Sequence, residues 1–288
     1  MHQTPWSPER PLPPPVSLTS QILMDFCTIV SGSSGNCTYV GTERTAVMVD
    51  AGVSGKRIEQ GLRAIDRAPG EISGILVTHE HSDHIAGLGV LARRYHIPIY
   101  ATPGTAQYIY SCASLGRIDP DLIRYIHADE AFTIGDLMIE PFRISHDAAQ
   151  PVGYRFDDGK KSMAVATDMG CYDDYIVEKL RGVNGILLES NHDVNMLQVG
   201  PYPWPLKQRI LGKMGHLSNE LAGRLLSDVL HEQMETILLG HLSKENNYAA
   251  LALATVISEI KMERSDVDAD ELPIEVASRS EPSRFYTL

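Results

Sequence analysis

Apolar and polar positions keep a regular beat along the chain from Ile22 onward. Short runs of β-branched and apolar residues end abruptly in Gly, Ser, Asp or His, and between them lie stretches with the apolar spacing of a helix face. The runs predict strands at 25–31, 36–40, 45–50, 74–78, 98–101, 137–145, 153–156, 162–167, 185–189, 236–240 and 275–277. The helical stretches fall at 55–67, 85–95, 105–115, 174–181, 206–214, 219–231 and 248–261. ILVT (75–78) is apolar throughout, as a strand covered on both faces is. With no repeat of solenoid period and no internal linker, the alternation implies one layered α/β domain over 21–288. Residues 1–20, rich in proline and poor in patterned apolar positions, are expected to be a flexible tail.

Composition narrows this picture only a little. A hydrophobic content of 43% in 288 residues is enough for a substantial core. A formal charge of −12 argues against a broad basic face that would grip long nucleic acid or an anionic membrane, although bound divalent cations would offset it locally. Cys27, Cys37, Cys112 and Cys171 form no C-x-x-C pair, so reduced thiols are expected. Nothing reads as a signal peptide or a membrane span, and a cytoplasmic protein with no membrane partner is the expectation.

The chemistry concentrates in HEHSDH (79–84), which directly follows ILVT. On an extended backbone, residues two apart point the same way, so His79 and His81 can reach one ion. Asp83 and His84, entering a helix, point elsewhere and can hold a second. One loop leaves both ions short of ligands, and three further strand-like runs supply them: LMIEPFRIS leads to His146, SMAVAT to Asp168 and TILLG to His241. His79, His81 and His146 would complete one ion, and Asp83, His84 and His241 the other. Asp168, with two oxygens, suits a bridge between them. Mixed His and Asp donors accept zinc, manganese or iron, zinc being the first choice.

H-x-H-x-D-H followed by a separate His, Asp and His resembles the metallo-β-lactamase fold over essentially all of 22–288. That resemblance implies a four-layer αββα sandwich with two metals at one edge. It also implies that Asp50, at the end of AVMVD, orients the histidine loop as a hydrogen-bond acceptor. Two such ions share and activate a hydroxide that bridges them, which gives a hydrolytic mechanism but no substrate.

The substrate must be read from the loops. SGSSGNC (31–37) has the small residues of an anion-binding turn, so Ser33, Ser34 and Asn36 are candidate phosphate contacts, an ordinary hairpin turn being the alternative. GILLESNHD leaves Glu189, Asn191 and His192 at the same edge. GHLSNE echoes GHLSKE; His241 follows a strand and is taken as the ligand, so His216 and Ser218 become candidates for substrate contact. Asp83, His216 and His192 are the expected catalytic set, with His216 or His192 protonating the leaving oxygen. VGPYPWPLKQR (199–209) reads either as a rigid connector or as a substrate-side loop, with Lys207 and Arg209 near phosphates and Tyr202 or Trp204 stacking bases.

Together SGSSGNCTYV, VTHEHSDHIAGL, HDAAQPVGY, ATDMG, ESNHDVNML, GHLSN and LGHLSKENN resemble the WalJ (YycJ) branch of the superfamily. That implies a metal-dependent phosphodiesterase acting on nucleic acid, specifically a 5′ to 3′ DNA exonuclease, with kinship to ribonuclease Z and the β-CASP nucleases. Too few positions separate Asp168 from His241 for a β-CASP insertion, which weighs against long-RNA processing. Alternatives are hydrolysis of another small ester or cyclic phosphodiester, diiron redox chemistry, in which relatives carry Glu where this chain has His81, or a non-enzymatic metal-binding protein. DNA versus RNA and oligomeric state stay open at this stage.

Overall fold

The computed structural model describes residues 23–288; the segment expected to be a flexible tail, 1–20, lies outside them. Six strands come first: β1 (Asp25–Val30), β2 (Cys37–Gly41), β3 (Ala46–Val49), β4 (Ile72–Leu76), β5 (Ile99–Ala101) and β6 (Ile123–Tyr125). Then come β7 (Phe132–Ile134), β8 (Leu137–Arg143), β9 (Val152–Asp157), β10 (Ser162–Ala166), β11 (Gly185–Glu189), β12 (Thr236–Gly240), β13 (Ile274–Val276) and β14 (Tyr286–Thr287). They make two seven-stranded sheets, ordered β14-β1-β2-β3-β4-β5-β6 and β13-β12-β11-β10-β9-β8-β7. Both sheets follow one plan: antiparallel pairing gives way to parallel pairing, at β3–β4 in the first and at β10–β11 in the second.

The parallel strands need crossovers, and helices supply them. These are α1 (Gly55–Ala64), α2 (Ser82–Ile85), α3 (Leu88–Tyr95), α4 (Pro103–Ser111), α5 (Asp174–Leu180), α6 (Val194–Val199), α7 (Trp204–Leu211), α8 (Asn219–Val229) and α9 (Ala249–Glu263). Ile58, Leu62, Leu91 and Ile109 of α1, α3 and α4 pack against Met48, Ile75 and Ile99 on the outer face of the first sheet. Leu180, Leu225 and Val256 of α5, α8 and α9 do the same for Ile186, Leu188 and Leu239 of the second. Between the sheets, Val47, Val49 and Leu76 join Met163, Val165, Leu187 and Leu238 in a third cluster. The result is an αββα sandwich. It also explains the apolar runs: in β10, Met163 and Val165 face the other sheet while Ala164 and Ala166 face the helices, so both faces of the strand are apolar after Ser162. Burying side chains of this size stabilises by roughly 1.5–3 kcal/mol each.

Three short strands and one helix have no counterpart among the sequence expectations: β6, β7, β14 and α6. Each of the strands has three residues or fewer, too short for alternation to register. The helix expected at 85–95 is two, α2 and α3, parted at Gly87, where an added Cβ would sit 2.2 Å from the Val53 carbonyl oxygen. The sheets are stitched together at one rim. Tyr154 Oη donates to the Val77 carbonyl (2.7 Å), Val152 N to the Thr78 carbonyl (3.0 Å) and His241 N to Ser31 Oγ (2.9 Å). No helix among the described residues is long and apolar enough to cross a membrane.

Candidate metal centre

That stitched rim carries the chemistry, because it is where the parallel strands end. Asp50 follows β3, Thr78 and His79 follow β4, His146 follows β8, Asp168 follows β10, Glu189 closes β11 and His241 follows β12. Three of these turn off their strands in the left-handed region: Asp50 (φ 62°), Asp168 (φ 62°) and His241 (φ 56°). This conformation is costly for most side chains and is held by the surrounding structure.

Donor atoms from distant parts of the chain converge here. His79, His81 and His146 form one group whose nitrogens lie within 4.8 Å of one another, and Asp83, His84 and His241 form another. His81 Nδ1 stands 3.2 Å from His146 Nε2. Asp168 reaches both groups: Oδ2 is 3.4 Å from His84 Nε2, and Oδ1 is 3.5 Å from His241 Nε2 and 3.9 Å from His146 Nε2.

The far side of four of the five rings is committed, His81 being the exception. His84 Nδ1 donates to Asp50 (2.7 Å), His146 Nδ1 to the Gly215 carbonyl (3.0 Å) and His241 Nδ1 to Glu189 (3.0 Å). Thr78 Oγ1 donates to Asp50 (2.8 Å) and lies 3.0 Å from His79 Nδ1, whose hydrogen it accepts. This arrangement fixes the ring orientation and directs Nε2 inward, as metal-ligating histidines require. His79 Nε2, His241 Nε2 and Asp168 Oδ2 are then buried with no hydrogen-bond partner among the described residues. Orphaned buried atoms are costly unless something binds them, and donors of this kind suit a divalent cation.

The electrostatics agree with that fit. Burial, reinforced by the neighbouring imidazoles, pushes the His79 proton affinity well down, and burial lowers that of His146, so both rings are neutral. Burial works against charge on His84 and His241 too, but Asp168 and the other carboxylates outweigh it, raising His84 well above its usual value and His241 to about 10. Burial likewise opposes ionisation of Asp83, yet His84 and His241 hold its carboxyl far below the usual range. The carboxylates around His84 and His241 thus favour positive charge at this point of the pocket, which divalent ions would supply in place of protons.

The structure gathers some of the other expected residues here and leaves others aside. His216 lines the pocket above the donors, its Nδ1 2.8 Å from Glu189 Oε1. Ser33 and Asn191 line it as well. Asn36 works differently from a phosphate contact: its amide donates to the Asp83 carbonyl (2.8 Å) and its side chain accepts from Gly32 N (3.0 Å), so it braces the ligand loop. Gly52 allows this approach, since a Cβ there would lie 1.7 Å from the Asp83 carbonyl oxygen. Ser34 is exposed away from the pocket lining, and Ser218 caps α8 by accepting from Leu221 N (3.3 Å). His192 is buried outside the lining. Lys207, read as near phosphates, turns inward and donates to the Gln198 carbonyl (2.7 Å), whereas Arg209 and Tyr202 do face the pocket.

Sequence reasoning missed what two acids do. Glu189 Oε1 accepts from His216 and His241 while Oε2 accepts from Met169 N (2.7 Å) and Leu217 N (3.1 Å), so one carboxylate orients two histidines. Glu80, between His79 and His81, accepts from Ala149 N (2.7 Å) and Thr105 Oγ1 (3.2 Å) and pins the loop after His146. A charged residue closing the apolar run GILLE was the available signal for Glu189. For Glu80 the sequence held none, because its partners are remote.

Known proteins resemble this one over most of its length. The β-lactamase superfamily domain matches residues 45–241. The exodeoxyribonuclease WalJ of Streptococcus pneumoniae is 42% identical over 251 residues, covering 87% of this chain and 93% of that protein. The exodeoxyribonuclease YycJ of Bacillus anthracis is 42% identical over 233 residues, covering 81% and 88%. Among solved structures, the metallo-β-lactamase fold protein YhfI of Bacillus subtilis superposes with a TM-score of 0.66 at 16% identity, over 93% of this chain and all of that one, a likeness of fold. The chain thus belongs to the β-lactamase superfamily, as a metallo-β-lactamase-fold protein of the group that holds WalJ and YycJ.

Proposed function

We propose that this protein is a metal-dependent exodeoxyribonuclease that removes nucleotides from DNA in the 5′ to 3′ direction, with His79, His81 and His146 holding one divalent ion, Asp83, His84 and His241 a second, and Asp168 touching both. The observation that carries this reading is the convergence of five imidazoles and two carboxylates, with buried orphan donors, in a chain 42% identical to proteins named exodeoxyribonucleases. Zinc suits this donor set best, with manganese or iron able to replace it. Divalent ions held by these residues would supply the activation of water and the neutralisation of phosphoryl charge that phosphodiester cleavage needs.

The chain's own groups do the rest. His216, anchored through Nδ1 by Glu189, presents its other nitrogen to the pocket and protonates the departing 3′ oxygen. Of the two histidines considered for this step, His192 is disfavoured: it has no place in the pocket wall, and burial pushes it down to about 4, so it carries no proton to give at neutral pH. Arg209, at the rim, is placed to meet a phosphate.

The test compares one preparation of known metal content on bis(p-nitrophenyl) phosphate, a 5′-phosphorylated oligodeoxynucleotide, nitrocefin and a glutathione thioester. Metal-dependent cleavage of the first two is expected. Turnover of nitrocefin or thioester with no phosphodiester cleavage would overturn the reading.

A further inference from the structure

Beside the pocket, the chain between β11 and α8 rises as an arch made of α6, a proline-braced turn and α7. Pro201, Pro203 and Pro205 alternate with Tyr202 and Trp204. Each proline fixes φ near −65°, so the turn has little freedom left to lose when something binds it. The feet of the arch are tied as well. Asp193 caps α6 by accepting from Met196 N (2.7 Å), and Lys207 Nζ joins α7 to α6 through the Gln198 carbonyl (2.7 Å). Arg209 pairs with Asp147, the residue after His146, at 2.9 Å.

Held in this way, the arch shows two unlike faces. Tyr202, Leu206 and Arg209 line the pocket. Trp204 is 65% exposed and Val199 86%. No aromatic ring or cationic side chain among the described residues stacks on the Trp204 indole. A large apolar ring left in water on a rigid support, two residues from both pocket-lining Tyr202 and pocket-lining Leu206, is the arrangement of a binding anchor beside the pocket.

We propose that Trp204 is a stacking platform for the bases of the DNA strand whose backbone enters the pocket. The inference rests on the nuclease reading above and adds how the strand is held. Two considerations select this occupant. Every base has a π face, so stacking grips any sequence equally, as an exonuclease requires. The chain's net charge of −12 denies it the long-range attraction to phosphates on which most DNA-binding proteins rely, and Arg209 is already paired with Asp147, so short-range stacking supplies the grip that overall charge does not.

The experiment uses the full-length, metal-loaded protein with Trp204→Ala and Trp204→Tyr. Trp204→Ala should raise KM for a 5′-phosphorylated oligodeoxynucleotide about tenfold with kcat little changed, and Trp204→Tyr should recover most of the loss. Bis(p-nitrophenyl) phosphate, too small to span pocket and arch, should be hydrolysed as before by both variants. An oligonucleotide lacking its terminal bases should show no difference between wild type and Trp204→Ala. In a Trp6→Phe background Trp204 is the only tryptophan, and its fluorescence should be quenched on titrating a non-cleavable phosphorothioate oligonucleotide into the metal-loaded protein, absence of quenching with binding intact overturning the platform. Normal KM in Trp204→Ala, in an enzyme that does cut DNA, overturns the platform and leaves the nuclease reading standing. A wild type that hydrolyses the small ester but no DNA overturns both. A change in oligomeric state in Trp204→Ala, with KM for DNA unchanged, assigns the surface to a second copy of the chain instead.

Discussion

The two sheets repeat one plan, and an aspartate follows the strand at which the pairing switches in each: Asp50 one residue past β3 and Asp168 two residues past β10, both at φ 62°. They are used in opposite ways. Both Asp50 oxygens are spent inside the protein, on Thr78 N (2.8 Å), Thr78 Oγ1 (2.8 Å) and His84 Nδ1 (2.7 Å). Asp168 Oδ2 has no partner among the described residues and lies among imidazole nitrogens. The anchoring task passes in the second sheet to Glu189, one strand over. Asp50 is thus spent as an anchor and Asp168 is left with the free oxygen a ligand needs, and what separates them is whether neighbouring donors, backbone and side chain, saturate the carboxylate.

The sharpest way to break this contrast is to treat Asp168 as if it were an anchor. Asp168→Asn keeps the shape and one carbonyl oxygen, so an anchor would tolerate it with both ions bound. The expected result is loss of at least one of two bound ions by elemental analysis, and a fall in DNA cleavage of roughly a thousandfold or more. Two ions bound and near-normal cleavage would put Asp168 in the same class as Asp50.

Glu189→Gln comes next. Four donors converge on this buried carboxylate, and an amide offers one acceptor and adds two donors of its own. Affinity for the ion at His241 should fall by up to about a hundredfold in a chelator-competition titration. Cleavage should stay depressed even at saturating metal, because His216 loses the same support. Full recovery at high metal would show that Glu189 serves His241 alone.

How much of this was legible beforehand follows from where each partner sits in the chain. Candidate ligands announce themselves through local grammar: an apolar strand ending in His or Asp is visible in ILVTHEH, SMAVATD and TILLGH without knowing what lies opposite. The long central strands were legible for the same reason, being saturated with apolar residues by burial on both faces. Anchors are defined by partners far away. Nothing near Glu189 in sequence says that it will meet both His216 and His241, and nothing near Lys207 says that it will be used to close the arch. Asn36 shows the same limit: small residues in SGSSGNC suggested an anion cradle, while its amides meet the Asp83 and Gly32 loops instead.

Asp50→Asn should be milder than Glu189→Gln, since Asp50 orients one imidazole directly and the amide oxygen can still accept from Thr78 N. About a tenfold weakening of metal binding is expected, at the low end for such supporting residues. A loss as large as that of Glu189→Gln would mean that Thr78, and through it His79, depends on Asp50 as strongly as His84 does.

The smallest effect concerns His192, which stands in the same sequence neighbourhood as Glu189 yet takes no part in its network. Neither of its ring nitrogens has a hydrogen-bond partner among the described residues, and burial lowers its proton affinity from 6.5 to about 4. A histidine depressed in the folded state leaves stability unaffected above pH 6.5. Below that the unfolded chain takes up the proton first, so stability declines as pH falls from 6.5 toward 4, by about 3 kcal/mol at most. His192→Phe removes the titrating group and fills the space with an apolar ring. Denaturant unfolding of metal-free wild type and variant should therefore give curves that coincide near pH 7.5 and diverge on acidification, the variant losing less. Cleavage of DNA by the metal-loaded variant should match wild type at neutral pH; its abolition in a folded, metal-bound protein would return His192 to the catalytic set and make His216 the structural member of the pair.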